Sequence, residues 1–230
     1  MSDPIEISYR FSFEDGLEEI YSLSFDPESM DLLGPLPAEP PGWTALAFHR
    51  CPHCTLDSDS PICPEALALA PVVQGFDGRR SYDPTLLEVS TRERRISART
   101  TLQRALSSLM GLIMATAGCP HAAFLKPMAR FHLPLASEAE TLYRASSMYL
   151  LAQFFRARAG YAPDLSLRGL EARYAVIETV NVSMAKRLRA AMSTDPAVNA
   201  VIILDTYAKL MPFSISESLE AVRPAFAPYL

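Results

Sequence analysis

The amino-acid sequence predicts an α+β fold, with an N-terminal antiparallel β-sheet region packed against a C-terminal layer of α-helices. Apolar and polar residues alternate in the first part of the chain, as in strands with one buried face, whereas apolar residues recur at helical spacing from Thr101 onward. Strands first and helices afterwards is the order of an α+β protein. Because no clean linker separates the two parts, we expect a single domain over 1–230, strand- and loop-rich over 1–100 and helical over 101–230.

A β-hairpin is predicted at the N-terminus. Apolar and polar residues alternate from Ile5 to Phe13 and again from Tyr21 to Phe25. The dipeptide Asp15-Gly16 between these segments favours a tight hairpin turn, because glycine adopts positive φ without strain.

The rest of the first 100 residues is rich in loops. The stretch 27–42 holds five prolines and two glycines, which excludes a helix or an inner strand and favours an extended connector. A third strand is predicted over 43–49 and a short helix over 64–73. A strand-like segment follows over 86–98, with a bend near Arg92.

Start and stop signals delimit the helices of the second part. Ser137 and Glu140 form a capping-box pattern, and Gly160 is a typical stop. Asp195-Pro196 supplies an N-cap and a first-turn proline. The predicted helices cover 101–117, 137–160, 166–192 and 195–211, with a last short helix that Ser214 and Glu217 begin.

The charge distribution argues against a nucleic-acid-binding protein. The net charge of −5 divides into −11 over 1–84 (4 Arg, 15 Asp and Glu) and +6 over 85–230 (17 Lys and Arg, 11 Asp and Glu). Neither part contains a basic run of the density that nucleic acid requires. The opposite charges would attract each other within one chain or between subunits.

The sequence predicts a cytoplasmic protein that does not enter a membrane. The acidic start over 1–6 is unlike a secretory signal. The longest uncharged stretch, 105–125, is broken by Gly118-Cys119-Pro120-His121 and therefore fits a buried helix better than a membrane span. In the cytoplasm, the four cysteines are expected to be thiols or metal ligands rather than disulfides.

The spacing of the cysteines predicts a metal site. Cys51-Pro52-His53-Cys54 is a C-x2-C element, whose tight turn directs two sulfurs at one centre, and Cys63 follows after eight residues. Zinc bound by four thiolates is the leading prediction, with iron or an iron–sulfur cluster as alternatives. The competing interpretation is four ordinary buried thiols. The predicted ligands are Cys51, Cys54, Cys63 and Cys119, and the alternative ligands are His49, His53 and His121.

A second hypothesis places a catalytic or redox centre at Cys119. If Cys119 caps a new helix, its pKa is lowered and the thiol becomes more nucleophilic. His121 or His132 would then supply a base, and Lys126 and Arg130 would hold an anion. The structural interpretation is that Arg130 pairs with a glutamate of the following helix and that His132 bonds a backbone group.

The sequence favours a non-enzymatic scaffold or protein-interaction protein held together by a structural zinc. It contains no glycine-rich phosphate loop, no G-x-S-x-G and no H-E-x-x-H motif. The alternatives are the enzyme or thiol redox protein centred on Cys119 and a small-ligand sensor with a pocket near Lys126 and Arg130. Two long apolar-striped helices over 166–211 predict a homodimer. Asn181, on one of these stripes, is expected to set helix register or to hydrogen-bond locally.

Several motifs resemble those of a family of uncharacterised bacterial proteins, a domain of unknown function. They are Gly118-Cys119-Pro120-His121, Lys126-Pro127-Met128 and Phe131-His132-Leu133-Pro134, together with the upstream Cys-Pro-x-Cys and Cys63-Pro64 elements. The resemblance covers about residues 43–155. It implies a bacterial, cytosolic source, and no activity comes with it.

Overall fold

A five-stranded antiparallel sheet forms one layer of the computed structural model, which describes residues 3–57, 59–217 and 219–229. The strands are β1 (Ile5–Phe13), β2 (Glu18–Phe25), β3 (Leu32–Leu33), β4 (Pro84–Ser90) and β5 (Arg95–Thr101). Their order in the sheet is β3-β2-β1-β4-β5, and every neighbouring pair is antiparallel. Helices follow the sheet along the chain, so the predicted α+β class is confirmed.

The predicted N-terminal hairpin is confirmed. Strands β1 and β2 pair from Ile5 opposite Phe25 onward, and Gly16 occupies the turn with a φ of +82°. Alternate residues of β1 are buried, because a strand that rests on a core exposes its other face to solvent.

The predicted third strand over 43–49 is wrong. The chain instead forms a short 3-10 helix over Gly42–Thr44 and a single bridge between Ala45 and Ile62. A short strand, β3, forms earlier, inside the proline-rich connector, where it pairs with β2 at the edge of the sheet. An edge position needs hydrogen bonds on one side only, which this loop-like sequence can provide.

The segment predicted as one bent strand over 86–98 is a hairpin. The amide of Thr91 donates to the carbonyl of Arg94 over 2.9 Å, and this turn separates β4 from β5. Their register runs from Pro84 opposite Thr101 to Ser90 opposite Arg95.

Seven α-helices are present in the described part of the chain. They are α1 (Pro64–Gly75), α2 (Leu102–Thr116), α3 (Lys126–Arg130), α4 (Glu138–Arg158), α5 (Arg168–Ala191), α6 (Pro196–Glu217) and α7 (Leu219–Val222), and a 3-10 segment (Arg223–Tyr229) ends the chain. None of these helices is both long and apolar enough to cross a bilayer.

The predicted capping box of α4 is confirmed. Ser137 Oγ accepts a hydrogen bond from the amide of Glu140, whose carboxylate accepts one from the amide of Ser137. By contrast, α6 does not end at Met211 but continues to Glu217, and a new helix therefore does not begin at Ser214.

Sheet and helices share one large core. The buried face of β1, with Tyr9 and Phe11, packs in the same cluster as Leu106 of α2 and Leu188 of α5. A smaller second cluster joins α4, α5 and α6 around buried residues such as Leu142. Helix α2 lies in the middle of the first cluster, and α4 contributes only to the second.

Candidate functional site

Three cysteine-bearing segments, distant in sequence, lie side by side. His121 Nε2 hydrogen-bonds the carbonyl oxygen of His53, which joins the turn around Cys119 to the C-x2-C turn. A Cβ atom placed on Gly118 would lie 3.8 Å from Cβ of Pro64, at the start of α1. The fold therefore gathers the 51–54 turn, the start of α1 and the 118–121 turn into one region, here called the cysteine cluster.

Local backbone hydrogen bonds position each cysteine. The amide of Cys54 donates to the carbonyl of Cys51 over 3.1 Å, which closes the C-x2-C turn. Cys63 is the N-cap of α1, and its backbone carbonyl accepts a hydrogen bond from the amide of Leu67. The carbonyl of Cys119 accepts from the amides of Ala122 and Ala123. All four thiols are free and partly exposed.

The thiols of the cysteine cluster interact electrostatically. Burial raises the pKa values of Cys51, Cys63 and Cys119, and negative charge on Glu65 raises each of them further. A thiolate at Cys54 would also raise the pKa of Cys51, as one at Cys51 would raise that of Cys63. The thiols of Cys51, Cys63 and Cys119 are therefore protonated without a cation, and cation binding would be coupled to proton release.

The cysteine cluster does not have the geometry of a metal site. Within 3–57, 59–217 and 219–229, no group of three or more His, Cys, Asp or Glu side chains is arranged to hold a metal ion. Bound zinc needs sulfurs about 2.3 Å from the ion. The four-thiolate site remains a prediction.

Glu65 is a buried carboxyl group that was not predicted from the sequence. It is 1% exposed, and burial raises its pKa to about 8. The Cys119 thiol and the Arg187 guanidinium oppose this rise, but less strongly. One carboxyl oxygen, Oε1, has no hydrogen-bond partner. The sequence signal was slight, because an acidic residue in the first turn of a helix is ordinary.

Arg187 of α5 is a second unpredicted buried charge. It is 1% exposed, and its guanidinium donates to the carbonyls of Trp43, Ala45 and Leu46 over 2.8, 2.7 and 3.1 Å. These carbonyls would pair with a neighbouring strand if 43–49 were a strand. Arg187 thus explains why that segment forms a turn, and it ties the turn to α5.

The residues predicted to assist Cys119 in catalysis make other contacts. No helix begins at Cys119, which lies in a turn before the 3-10 segment Ala123–Leu125, and its pKa is raised instead of lowered. His132 hydrogen-bonds the hydroxyl of Tyr9. Lys126 forms an ion pair with Asp31 over 2.5 Å.

Of the two other expectations for this region, the pairing of Arg130 with Glu138 or Glu140 stays a prediction, and only the one for His132 differs from the structure. Arg130 is exposed, and Glu140 is held by the capping box of α4. Two carbonyls, of Met128 and Phe131, receive hydrogen bonds from Arg144. Arg144 therefore takes the role of anchoring the 126–134 segment, and His132 bonds a side chain rather than the backbone.

A cavity of about 200 Å³, partly open to solvent, lies between α2, α5 and α6 and is also lined by the 122–136 segment. Its walls are mostly apolar, with Leu112, Leu125 and Ile177 among the lining residues. An engineered apolar cavity of about 150 Å³ is large enough for benzene. The cavity can therefore hold a single ring or a branched chain of similar size.

Two residues of the cavity wall each carry a buried polar atom that lacks a hydrogen-bond partner. Asn181, which is 2% exposed, lines the cavity, and its Nδ2 has no partner. Glu65 lines the same cavity with its unpaired Oε1. The Tyr174 hydroxyl, also on the wall, contacts the sulfur of Met128 at 4.0 Å, which is a weak acceptor. The expectation that Asn181 bonds locally is thus not met by its amide nitrogen.

Comparison with known proteins identifies the family. A family model described as "Domain of unknown function (DUF6901)" matches residues 7–227, so the chain belongs to this family. The resemblance to a domain of unknown function is confirmed and extends over more of the chain than the motifs covered. No curated protein matches the chain, and no solved structure does.

Proposed function

We propose that the protein binds a small carboxylic acid with an apolar body in the cavity between α2, α5 and α6. The observation that carries this proposal is the buried amide nitrogen of Asn181, which has no hydrogen-bond partner and belongs to a residue of the apolar cavity wall. A buried donor without a partner costs about 1–3 kcal/mol. An acceptor oxygen on a ligand would remove this cost.

The charge of the cavity wall favours an anionic acceptor. Arg104 and Arg144 line the cavity, and Glu65 is the one acidic residue among its described lining residues. The wall is therefore net positive even when Glu65 is ionised. Guanidinium groups stay charged at all ordinary pH values and bind carboxylates well. The remaining, apolar surface would contact the ligand's hydrocarbon part.

Binding of simple acids tests the proposal. We expect calorimetry to detect benzoate, phenylacetate or isovalerate, and to give weaker binding for the alcohols of the same size. Asn181→Leu, of similar volume, should weaken acid binding about 10- to 100-fold, because a hydrogen bond to a charged group contributes about 1.5–3 kcal/mol.

A matched control separates this effect from the loss of any amide. Asn199 of α6 bonds Asp195 over 2.9 Å in an exposed position, so Asn199→Leu should leave acid binding unchanged. The proposal fails if none of the three acids binds, or if Asn181→Leu binds them as tightly as the wild type.

A second candidate function is a cytoplasmic scaffold or interaction protein stabilised by a structural metal, most simply zinc bound by Cys51, Cys54, Cys63 and Cys119. Its support is the convergence of three cysteine-bearing segments from distant parts of the chain. Iron or an iron–sulfur cluster would use the same thiols. Metal binding would close the loop between the first and last of these segments and so contribute to folding.

Metal analysis of the purified protein tests this candidate. We expect one zinc per chain in the wild type and none in Cys54→Ser, which should also be less stable by several kcal/mol. His53→Gln changes the neighbouring side chain and should keep the metal. A metal-free wild type, prepared without chelators, would contradict the candidate.

A further inference from the structure

Helix α4 carries apolar side chains on two opposite faces. Residues such as Leu142 and Tyr149 are buried against the second cluster, as expected of a surface helix. The outward face holds Leu151 and Phe154, which are 55% and 53% exposed. Contiguous exposed apolar patches of this kind mark interaction surfaces, whereas isolated exposed apolar residues are common.

The outward face is regular. Tyr143, Ser147, Leu150 and Phe154 follow one another at spacings of four, three and four residues, the pattern of a seam between two paired helices. The small side chain of Ser147 near the middle allows close approach. The C-terminal segment reaches this face at Phe226, whose ring centroid is 6.4 Å from that of Tyr143, and Tyr143 stays half exposed.

The ends of the outward face carry opposite charges. Glu140 lies at its N-terminal end and Arg158 at its C-terminal end, and both are exposed. Eighteen residues separate them, which is five complete turns of about 5.4 Å, so both lie on the same side of the helix. This face, here called the α4 seam, is therefore acidic at one end, apolar in the middle and basic at the other end.

We propose that the α4 seam pairs with the α4 seam of a second copy of this chain, antiparallel and about a two-fold axis. In that arrangement Glu140 of each copy faces Arg158 of the other, and Ser147 of each copy faces Leu151 of the other. The helix dipoles are also opposed. A parallel pairing would bring like charges together at both ends.

The charge pattern selects a second copy over a membrane surface as the partner. An anionic bilayer would attract Arg158 but repel Glu140 on the same face. A two-fold interface requires a surface that complements itself, which the α4 seam does. Helices α5 and α6 bury residues such as Leu188 and Val201 in the core of their own chain, so they offer less apolar surface for an interface than the sequence suggested.

Analytical ultracentrifugation of the full chain tests the proposal. We expect a dimer that dissociates on dilution in the micromolar range. Leu151→Glu should give a monomer at every concentration, because it buries two carboxylates in the seam. Ala152→Glu changes the adjacent exposed residue, which points away from the seam, and should leave the dimer intact. Circular dichroism of both variants should match that of the wild type, which would show that they fold.

A charge reversal tests the orientation. Arg158→Glu should weaken the dimer several-fold at low salt, and high salt should reduce the difference between variant and wild type. Arg156→Glu is the matched control, because Arg156 lies on the opposite side of α4, where its guanidinium stacks 5.2 Å from the Tyr161 ring. A wild type that is monomeric at all concentrations overturns the proposal, as does a dimer that Leu151→Glu leaves intact.

Discussion

The pair of buried Tyr9 and half-buried His132 shows how desolvation decides a protonation state. The side chain of Tyr9 is fully buried, and burial raises its pKa, so the hydroxyl stays protonated while it hydrogen-bonds His132 Nε2. Burial, with a smaller contribution from the charge of Arg144, lowers the pKa of His132 to about 3. The imidazole is therefore neutral in the folded protein at any pH at which the protein is studied.

This pair predicts a loss of stability on acidification. An unfolded histidine has a pKa of about 6.5, so below that pH the unfolded chain binds a proton that folded His132 does not. The free energy of unfolding should fall by up to about 1.4 kcal/mol for each pH unit below 6.5. Urea unfolding of His132→Gln between pH 7 and 5 should show a flatter dependence than the wild type. An equal slope for His132→Gln and the wild type would contradict this assignment.

Single residues also mark the limit of prediction from sequence. The cysteines were identified from their spacing, because a C-x2-C turn has a recognisable pattern. Glu65 and Arg187 carry no such pattern, because their roles depend on burial by segments far away in sequence. Asn181 was recognised as a polar residue on an apolar stripe, but its position on a cavity wall follows from the packing of three helices, which no local pattern reports.

At the scale of elements, the capping box of α4 predicts a measurable contribution to stability. Ser137→Ala removes the acceptor for the amide of Glu140, and the free energy of unfolding should fall by about 1 kcal/mol. Urea unfolding at fixed protein concentration measures the change. Ser147→Ala, in the middle of the same helix, should lower the free energy of unfolding by no more than a few tenths of a kcal/mol, because alanine favours helices. Equal losses for the two variants would contradict a specific capping effect.

The hydrogen bonds that Arg187 donates predict that α5 holds the 42–46 turn in place. Arg187→Met keeps most of the side chain's volume but leaves the carbonyls of Trp43, Ala45 and Leu46 without their donor. Buried polar groups that lose their partners are costly, so we expect a loss of about 3 kcal/mol or more. Arg189→Met, at an exposed residue of the same helix, should have little effect. Hydrogen exchange should become faster over 42–46 in the first variant alone.

The elements that were predicted correctly are those whose structure depends on neighbouring residues in the sequence. The Asp15-Gly16 turn and the Ser137 cap fix their hairpin and helix through neighbouring residues, and both were correct. The 43–49 segment has the composition of a strand, but Arg187 hydrogen-bonds its backbone carbonyls, which a neighbouring strand would otherwise use. Strand β3 forms because the edge of β2 is available for pairing. Elements whose hydrogen bonds come from distant residues could not be predicted from their own sequence.

At the scale of the whole molecule, the first core cluster connects the two halves of the chain. It contains residues of β1 and β4 as well as residues of α1, α2, α5 and α6. The side chain of Asp195, at the start of α6, accepts hydrogen bonds from Ser81, just before β4. The helical layer thus buries the face of the sheet that would otherwise be exposed. The sheet has no core apart from this shared cluster, whereas the helices also share the smaller second cluster.

This shared core predicts cooperative unfolding of sheet and helices. Trp43, the only tryptophan, packs against the first cluster next to α5, so its fluorescence reports on the N-terminal half, while far-UV circular dichroism reports mainly on the helices. We expect both signals to give the same urea midpoint and the same slope, because the loss of either layer exposes the large first cluster that both layers share. Arg187→Met should lower the two midpoints together. Separate transitions for tryptophan fluorescence and dichroism would instead mean that the helical layer is stable without the sheet, and the chain would then consist of two folding units.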